Sequence, residues 1–410
     1  MKAILTKIWI LAFLFQPVLI LAQEHELQTG DTTWYKTLIP EEKQGLLKNV
    51  SMIANMQFGL ENAFSDQNLS SEFEYTGSKF RFEQFRMEFR GQVHKKVYFR
   101  FRNRYTKTPD VQSLDHIYGS VDLAYIRVTL SDKWNLSLGK MCADWGGYEF
   151  DYNPIDIYEY SDIIEMADNF LTGVGVNYEI NKRHSLTFQV LDSRTKSFSE
   201  LYGEQPNVTE SKAPLAFVLN WRGSFFKGKF NTIWSYALHT EAENIFMNYI
   251  AIGNQLRLGK FTVEYDFKWS SEDLDRTGIV SATVPDVLIR GIDTLDYPYA
   301  MKNTLYYSHW LHLYYRANKH INIAFVGFLD YAKWKGGSAD PEKNTDDIRV
   351  AWGFIPTFEY YPFKDLNLRF YVNYVGRIYN YSDYSKEWLG AVDYSTGRVT
   401  IGFVSPLGIF

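Results

Sequence analysis

Ten basic residues crowd the window 79–107: Lys79, Arg81, Arg86, Arg90, Lys95, Lys96, Arg100, Arg102, Arg104 and Lys107, against only Glu83 and Glu88. They are interleaved with apolar residues. Val97, Phe99 and Phe101 take one parity, while Tyr98, Arg100, Arg102 and Arg104 take the other. On a strand this spacing makes one apolar wall and one cationic wall, because successive side chains leave opposite faces. Guanidiniums stay charged at any usable pH, so a wetted row of them attracts anions through its summed field.

A second constellation has the opposite sign: Asp144, Glu149, Asp151, Asp156, Glu159, Asp162, Glu165 and Asp168 stand between 144 and 168 with no Lys or Arg among them. A basic wall facing an acidic loop sets a transverse field across a narrow aqueous passage, a device that filters charged solutes. The expected lining is Arg86, Arg90, Arg100, Arg102 and Arg104 opposite Asp151, Asp156 and Glu159. Clustered carboxylates also suit calcium, but no fixed ligand spacing supports that use.

Signals for catalysis fail. Gly223-Ser-Phe-Phe-Lys-Gly-Lys229 starts like a phosphate-binding loop, yet Phe230 stands where a Ser or Thr would hold magnesium. Gly173-Val-Gly175 lacks the third glycine of a dinucleotide motif. His309 and His312 fall on opposite faces of a strand and cannot share a metal. Cys142 has no neighbouring base to activate it. No catalytic residue, cofactor or metal is expected. The rival reading is an outer-membrane barrel enzyme of phospholipase or protease type, whose Ser-His arrangement would be assembled in space rather than in sequence.

The elements that must carry these walls are strands. Alternating segments lie near 50–61, 80–91, 95–105, 121–130, 134–141, 172–180, 184–192 and 213–222. Eight more lie near 229–238, 248–258, 260–269, 303–316, 320–330, 348–361, 365–377 and 396–405. Their connections mostly alternate long and short, as in a membrane barrel with short periplasmic turns and longer extracellular loops. Phase changes near Gln84, where Phe80 and Phe82 give way to Phe85, Met87 and Phe89, predict a bulge or the barrel rim.

Bulk properties agree. Lys2 and Lys7 precede an apolar run from Ile8 to Leu21, which predicts a signal peptide over 1–22. Residues 23–49 are read as an N-terminal periplasmic segment and 50–410 as the barrel. Mean hydropathy is −0.28 and aromatic content 17%, and membrane interfaces concentrate Tyr and Trp. Net charge is −5, which excludes a basic nucleic-acid binder. The predicted class is an all-β transmembrane antiparallel barrel of about sixteen strands in the outer membrane of a Gram-negative bacterium, in contact with membrane lipid and lipopolysaccharide.

Leu136-Ser-Leu-Gly-Lys140, Trp145-Gly-Gly-Tyr-Glu-Phe-Asp-Tyr-Asn-Pro-Ile-Asp-Ile-Tyr158 and Thr172-Gly-Val-Gly-Val176 resemble the phosphate-selective porin O and P family in its Bacteroidetes form. The resemblance implies a homotrimeric porin whose third long loop, here 142–171, folds into the pore. It also implies passive diffusion of small hydrophilic solutes, including anions such as phosphate. Pro406 and Gly408 depart from the usual terminal pattern, so the last strand is expected to stop near Ser405.

Overall fold

The computed structural model describes residues 49–66, 73–106, 116, 119–284, 299–335 and 347–410. The predicted signal peptide, Lys107 and all of the N-terminal segment before residue 49 lie outside them. Sixteen strands alternate through the chain. The first eight are β1 (Val50–Ser65), β2 (Glu74–His94), β3 (Val97–Arg104), β4 (Val121–Thr129), β5 (Trp134–Cys142), β6 (Phe170–Asn181), β7 (His184–Asp192) and β8 (Leu215–Phe225). The others are β9 (Phe230–Ala242), β10 (Ile245–Leu258), β11 (Phe261–Leu274), β12 (Lys302–Arg316), β13 (Ile321–Trp334), β14 (Asp347–Tyr360), β15 (Arg369–Tyr381) and β16 (Tyr394–Gly408). Each pairs with its sequence neighbour, and β1 pairs antiparallel with β16, so the barrel is closed.

The faces are inverted relative to a water-soluble sandwich. Phe80, Phe188, Phe325 and Ile401 point outward and are exposed, whereas Asn220, Asp266, Lys268 and Ser308 are buried inside. The period-2 pattern therefore sorts apolar side chains to the outer surface and polar ones to the lumen. Reversing a strand such as β3 would place several arginines in hydrocarbon, at roughly 2–4 kcal/mol each near the midplane. The phase change in β2 is a true irregularity: pairing passes from Gln57–Gln84 to Phe58–Phe82, leaving Glu83 as the extra residue.

Three details differ from the sequence reading. Several strands run longer than their alternation suggested: β2 spans Glu74–His94 and β9 Phe230–Ala242, where alternation placed 80–91 and 229–238. The connection read as 239–247 is only the two-residue turn Glu243-Asn244, with Asn244 at φ 59°. And β16 does not stop at Ser405. Pro406 pairs with Asn55 and Gly408 with Ile53. Beyond them the Met52 amide donates to the Phe410 carbonyl at 2.9 Å, and the Ile409 amide to the Met52 carbonyl at 2.7 Å.

Residues 143–169 form the third loop. It contains α1 (Tyr148–Asp151), a 3₁₀ turn (Pro154–Asp156) and α2 (Asp162–Met166). Trp145 and Ile163 join an apolar cluster with Ala237, Tyr249 and Val280, so the loop sits within the barrel rather than above it.

Candidate pore constriction

The β2–β3 hairpin sets the cationic wall. Its register opposes Arg86 to Arg104, Glu88 to Arg102 and Arg90 to Arg100. Like charges directly opposite each other destabilise a sheet, so the hairpin needs counter-charge. Two wall carboxylates supply it. Glu88 receives Arg100 through Nε at 3.0 Å and Nη2 at 3.1 Å, with Arg90 at 3.7 Å. Asp122, at the start of β4, receives Arg86 Nε at 2.8 Å, with Arg102 at 3.4 Å and Arg104 at 3.7 Å.

Burial divides the five arginines. The side chains of Arg86 and Arg102 are 3% and 6% exposed, while those of Arg100 and Arg104 are 29% and 27% exposed. Arg102 also lies over the Phe170 ring, 5.2 Å from its centroid. The first pair holds the wall together, and Arg100 and Arg104, with Arg90 beside them, face the water. All five predicted cations thus lie on one patch, but not as equals.

Among the described residues the acidic loop forms no ion pair with the arginine patch it was expected to face. Its carboxylates are held by arginines from other strands, which the sequence reading did not select. Asp151, with Asp144, binds Arg222 of β8 at 2.8 and 2.9 Å. Asp156 binds Arg369 of β15 at 2.6 Å. Glu159 binds Arg398 of β16 at 2.7 Å, and Asp162 bridges Arg377 and Arg349. The signal for these partners was present in part, since each occupies a lumen-side parity of its strand. Among the described residues no three His, Cys, Asp or Glu side chains converge.

A buried anchor seats the start of the loop on β11. Asp266 accepts the Tyr148 amide at 2.9 Å and the Glu149 amide at 2.8 Å. Lys268 donates to Glu149 and to Ser161 Oγ, and the Ser161 amide donates to Glu149 at 2.6 Å. Glycine is required at this contact. A Cβ at Gly147 would lie 2.5 Å from the Asp266 carboxylate, and one at Gly253 would lie 2.7 Å from it. Further along, Glu165 is exposed on α2, without an ion pair to any described residue. Partial desolvation by neighbouring protein, and then the Glu159 and Glu149 charges, raise its carboxyl above the ordinary glutamate range.

The remaining motifs fall as their chemistry suggested. His312 Nδ1 meets Glu264 at 2.9 Å on the lumen side, while His309 meets Tyr265 Oη at 2.8 Å on the outside. The Gly223–Lys229 stretch closes a hairpin, with Phe226 and Lys227 at φ 50° and 58°, and offers no helix terminus to a phosphate.

The family model described as "Phosphate-selective porin O and P" matches residues 54–296. No curated protein matches the sequence. Among solved structures, the fold is similar to the outer membrane channel DcaP of Acinetobacter baumannii, with TM-score 0.54 at 9% identity over 86% of this chain and 96% of that one. It is similar to OmpF of Salmonella typhi, with TM-score 0.54 at 12% identity over 86% and 98% of the two chains. An anion-selective porin from Comamonas acidovorans superposes with TM-score 0.52 at 8% identity over 87% and 98%. At such identities these likenesses establish the fold alone.

Proposed function

Because the chain belongs to the phosphate-selective porin O and P family and is an outer-membrane channel, we propose that it passes small hydrophilic solutes by diffusion and prefers anions such as phosphate. One observation carries the preference. Among the described residues, five guanidiniums of β2 and β3 share two carboxylates, Glu88 and Asp122, while Asp144, Asp151, Asp156, Glu159 and Asp162 are engaged by other arginines. The patch therefore keeps a positive surplus beside water, and a local surplus matters more to a passing ion than the net charge of the chain.

Arg90, Arg100 and Arg104 meet the solute in this reading, and Arg86 and Arg102 hold them in place. Asp151, Asp156 and Glu159 narrow the passage by fixing the loop rather than by facing the arginine patch. The export signal over 1–22, the periplasmic segment 23–49 and a homotrimer complete the proposal, the last supported by family resemblance and by aromatics on outward positions. No step of chemistry on the solute is assigned to any residue.

Reversal potentials in a KCl gradient test the assignment. Arg100→Gln with Arg104→Gln should move the potential toward cations, and the shift should shrink at high salt as the screening length falls. An unmoved potential in a folded double variant would remove these residues from the filter.

A further inference from the structure

The end of the barrel opposite the third loop is closed by seven turns, 95–96, 130–133, 182–183, 226–229, 259–260, 317–320 and 361–368. Every one carries at least one Lys or Arg, ten in all, against only Asp132 and Asp365. All ten are exposed, and none forms an ion pair among the described residues. At the other end Lys333 is paired with Asp347, Lys386 with Asp393 and Arg194 with Glu210, while the exposed Lys196, Lys212, Lys302 and Lys335 form no ion pair among the described residues. Among the described residues this rim thus carries ten exposed lysines and arginines in its turns against two aspartates, in a chain of net charge −5.

The ring is amphipathic as well as basic. Phe226, 76% exposed, adjoins Lys227, and Phe363, 52% exposed, adjoins Lys364; Val93, 62% exposed, lies just before Lys95 and Lys96. Apolar side chains at this level sit at the edge of the lipid-facing band, and neighbouring lysines can reach past them to headgroup phosphates. Free solute anions need no such apolar neighbours.

We propose that this rim is a docking surface for anionic phospholipid headgroups of the leaflet that surrounds it. The turn lysines bind lipid phosphate, and the adjoining aromatic and aliphatic tips pack against the upper acyl chains. This assignment concerns the turns and is independent of the ion preference of the pore.

The test uses the full chain refolded in phosphatidylcholine vesicles that contain spin-labelled phosphatidylglycerol or spin-labelled phosphatidylcholine. Electron paramagnetic resonance reads the fraction of each label held at the protein surface. At low salt the glycerol lipid should show at least about a threefold excess in association, lost in 1 M salt where the Debye length is roughly 3 Å. The variant Lys95→Gln, Lys96→Gln, Lys182→Gln, Lys227→Gln, Lys229→Gln should bring the two lipids to near equality. Lys333→Gln with Lys386→Gln, at the opposite rim, should keep the excess. Equal association in the unaltered protein overturns the proposal, and so does an excess that survives the fivefold variant. A shifted reversal potential in neutral bilayers with lipid preference unchanged would assign the ring to solute steering instead and would also overturn it. Should the fivefold variant not fold, the salt dependence of the unaltered protein decides.

Discussion

Replacing Asp122 with Asn isolates the counter-charge of the arginine patch. Asp122 is 1% exposed and receives three guanidiniums between 2.8 and 3.7 Å. A unit-charge pair near 4 Å is worth about 4 kcal/mol at an effective dielectric of 20, so the gross attraction is on the order of 12 kcal/mol. Desolvation and arginine repulsion offset most of that. Removing one partner of a buried pair costs roughly 3–5 kcal/mol because it leaves charge buried and uncompensated. Asn keeps one acceptor oxygen, so the lower figure applies, about 3 kcal/mol or on the order of a hundredfold in the folding equilibrium. Urea unfolding of the vesicle-refolded barrel, followed by the mobility difference between unheated and boiled samples, measures it. Glu88→Gln should cost less, since its main partner Arg100 can reach water. Adding Arg86→Gln to Asp122→Asn should recover part of the loss by removing an orphaned cation. An unchanged midpoint in Asp122→Asn, or a larger loss in Glu88→Gln, would refute this account of the patch.

Gly147→Ala should lift the start of the third loop from β11, weakening two charge-assisted hydrogen bonds worth about 1.5–3 kcal/mol each, and raise single-channel conductance while the barrel stays folded. Because the Glu165 carboxyl is raised in the folded channel, it takes up a proton at higher pH than an ordinary glutamate of 4.5; its charge opposes folding at neutral pH and ceases to do so on acidification. Anion preference should accordingly rise as pH falls toward that window, and Glu165→Gln should remove this part of the pH dependence of the reversal potential. Cross-linking in detergent should give a trimer band, and a monomer alone would remove the trimer while leaving the channel intact.

The barrel was legible because lipid and water impose opposite demands on alternate residues, and Phe261 to Trp269 states those demands without interruption. The cation row was legible for the same reason. Its counter-charge was not. Asp122 reaches the patch beside a register shift between Arg102 and Asn103, and an irregular pairing leaves no trace in a simple period. The loop's partners were hidden by separation: Arg369 lies 213 positions from Asp156, and Arg222 lies 71 from Asp151. Sign and clustering announced two charged groups, but only the closed sheet decided that each would find its neutraliser elsewhere.

The joint between β1 and β16 has a consequence for how the barrel comes into being. Asn62 and Val399, which meet there, stand 337 positions apart. Every other seam joins strands adjacent in sequence and can form as the chain grows, whereas this one waits for almost the whole of it. Until then two strand edges display unpaired amides and carbonyls, open to other chains. Closing so long a loop is entropically slow, and non-local pairing of this kind dominates folding time. The nascent protein must therefore be kept apart from its own kind until the last strand arrives, and a variant that weakens β16 should fail first as aggregate rather than as a leaky channel.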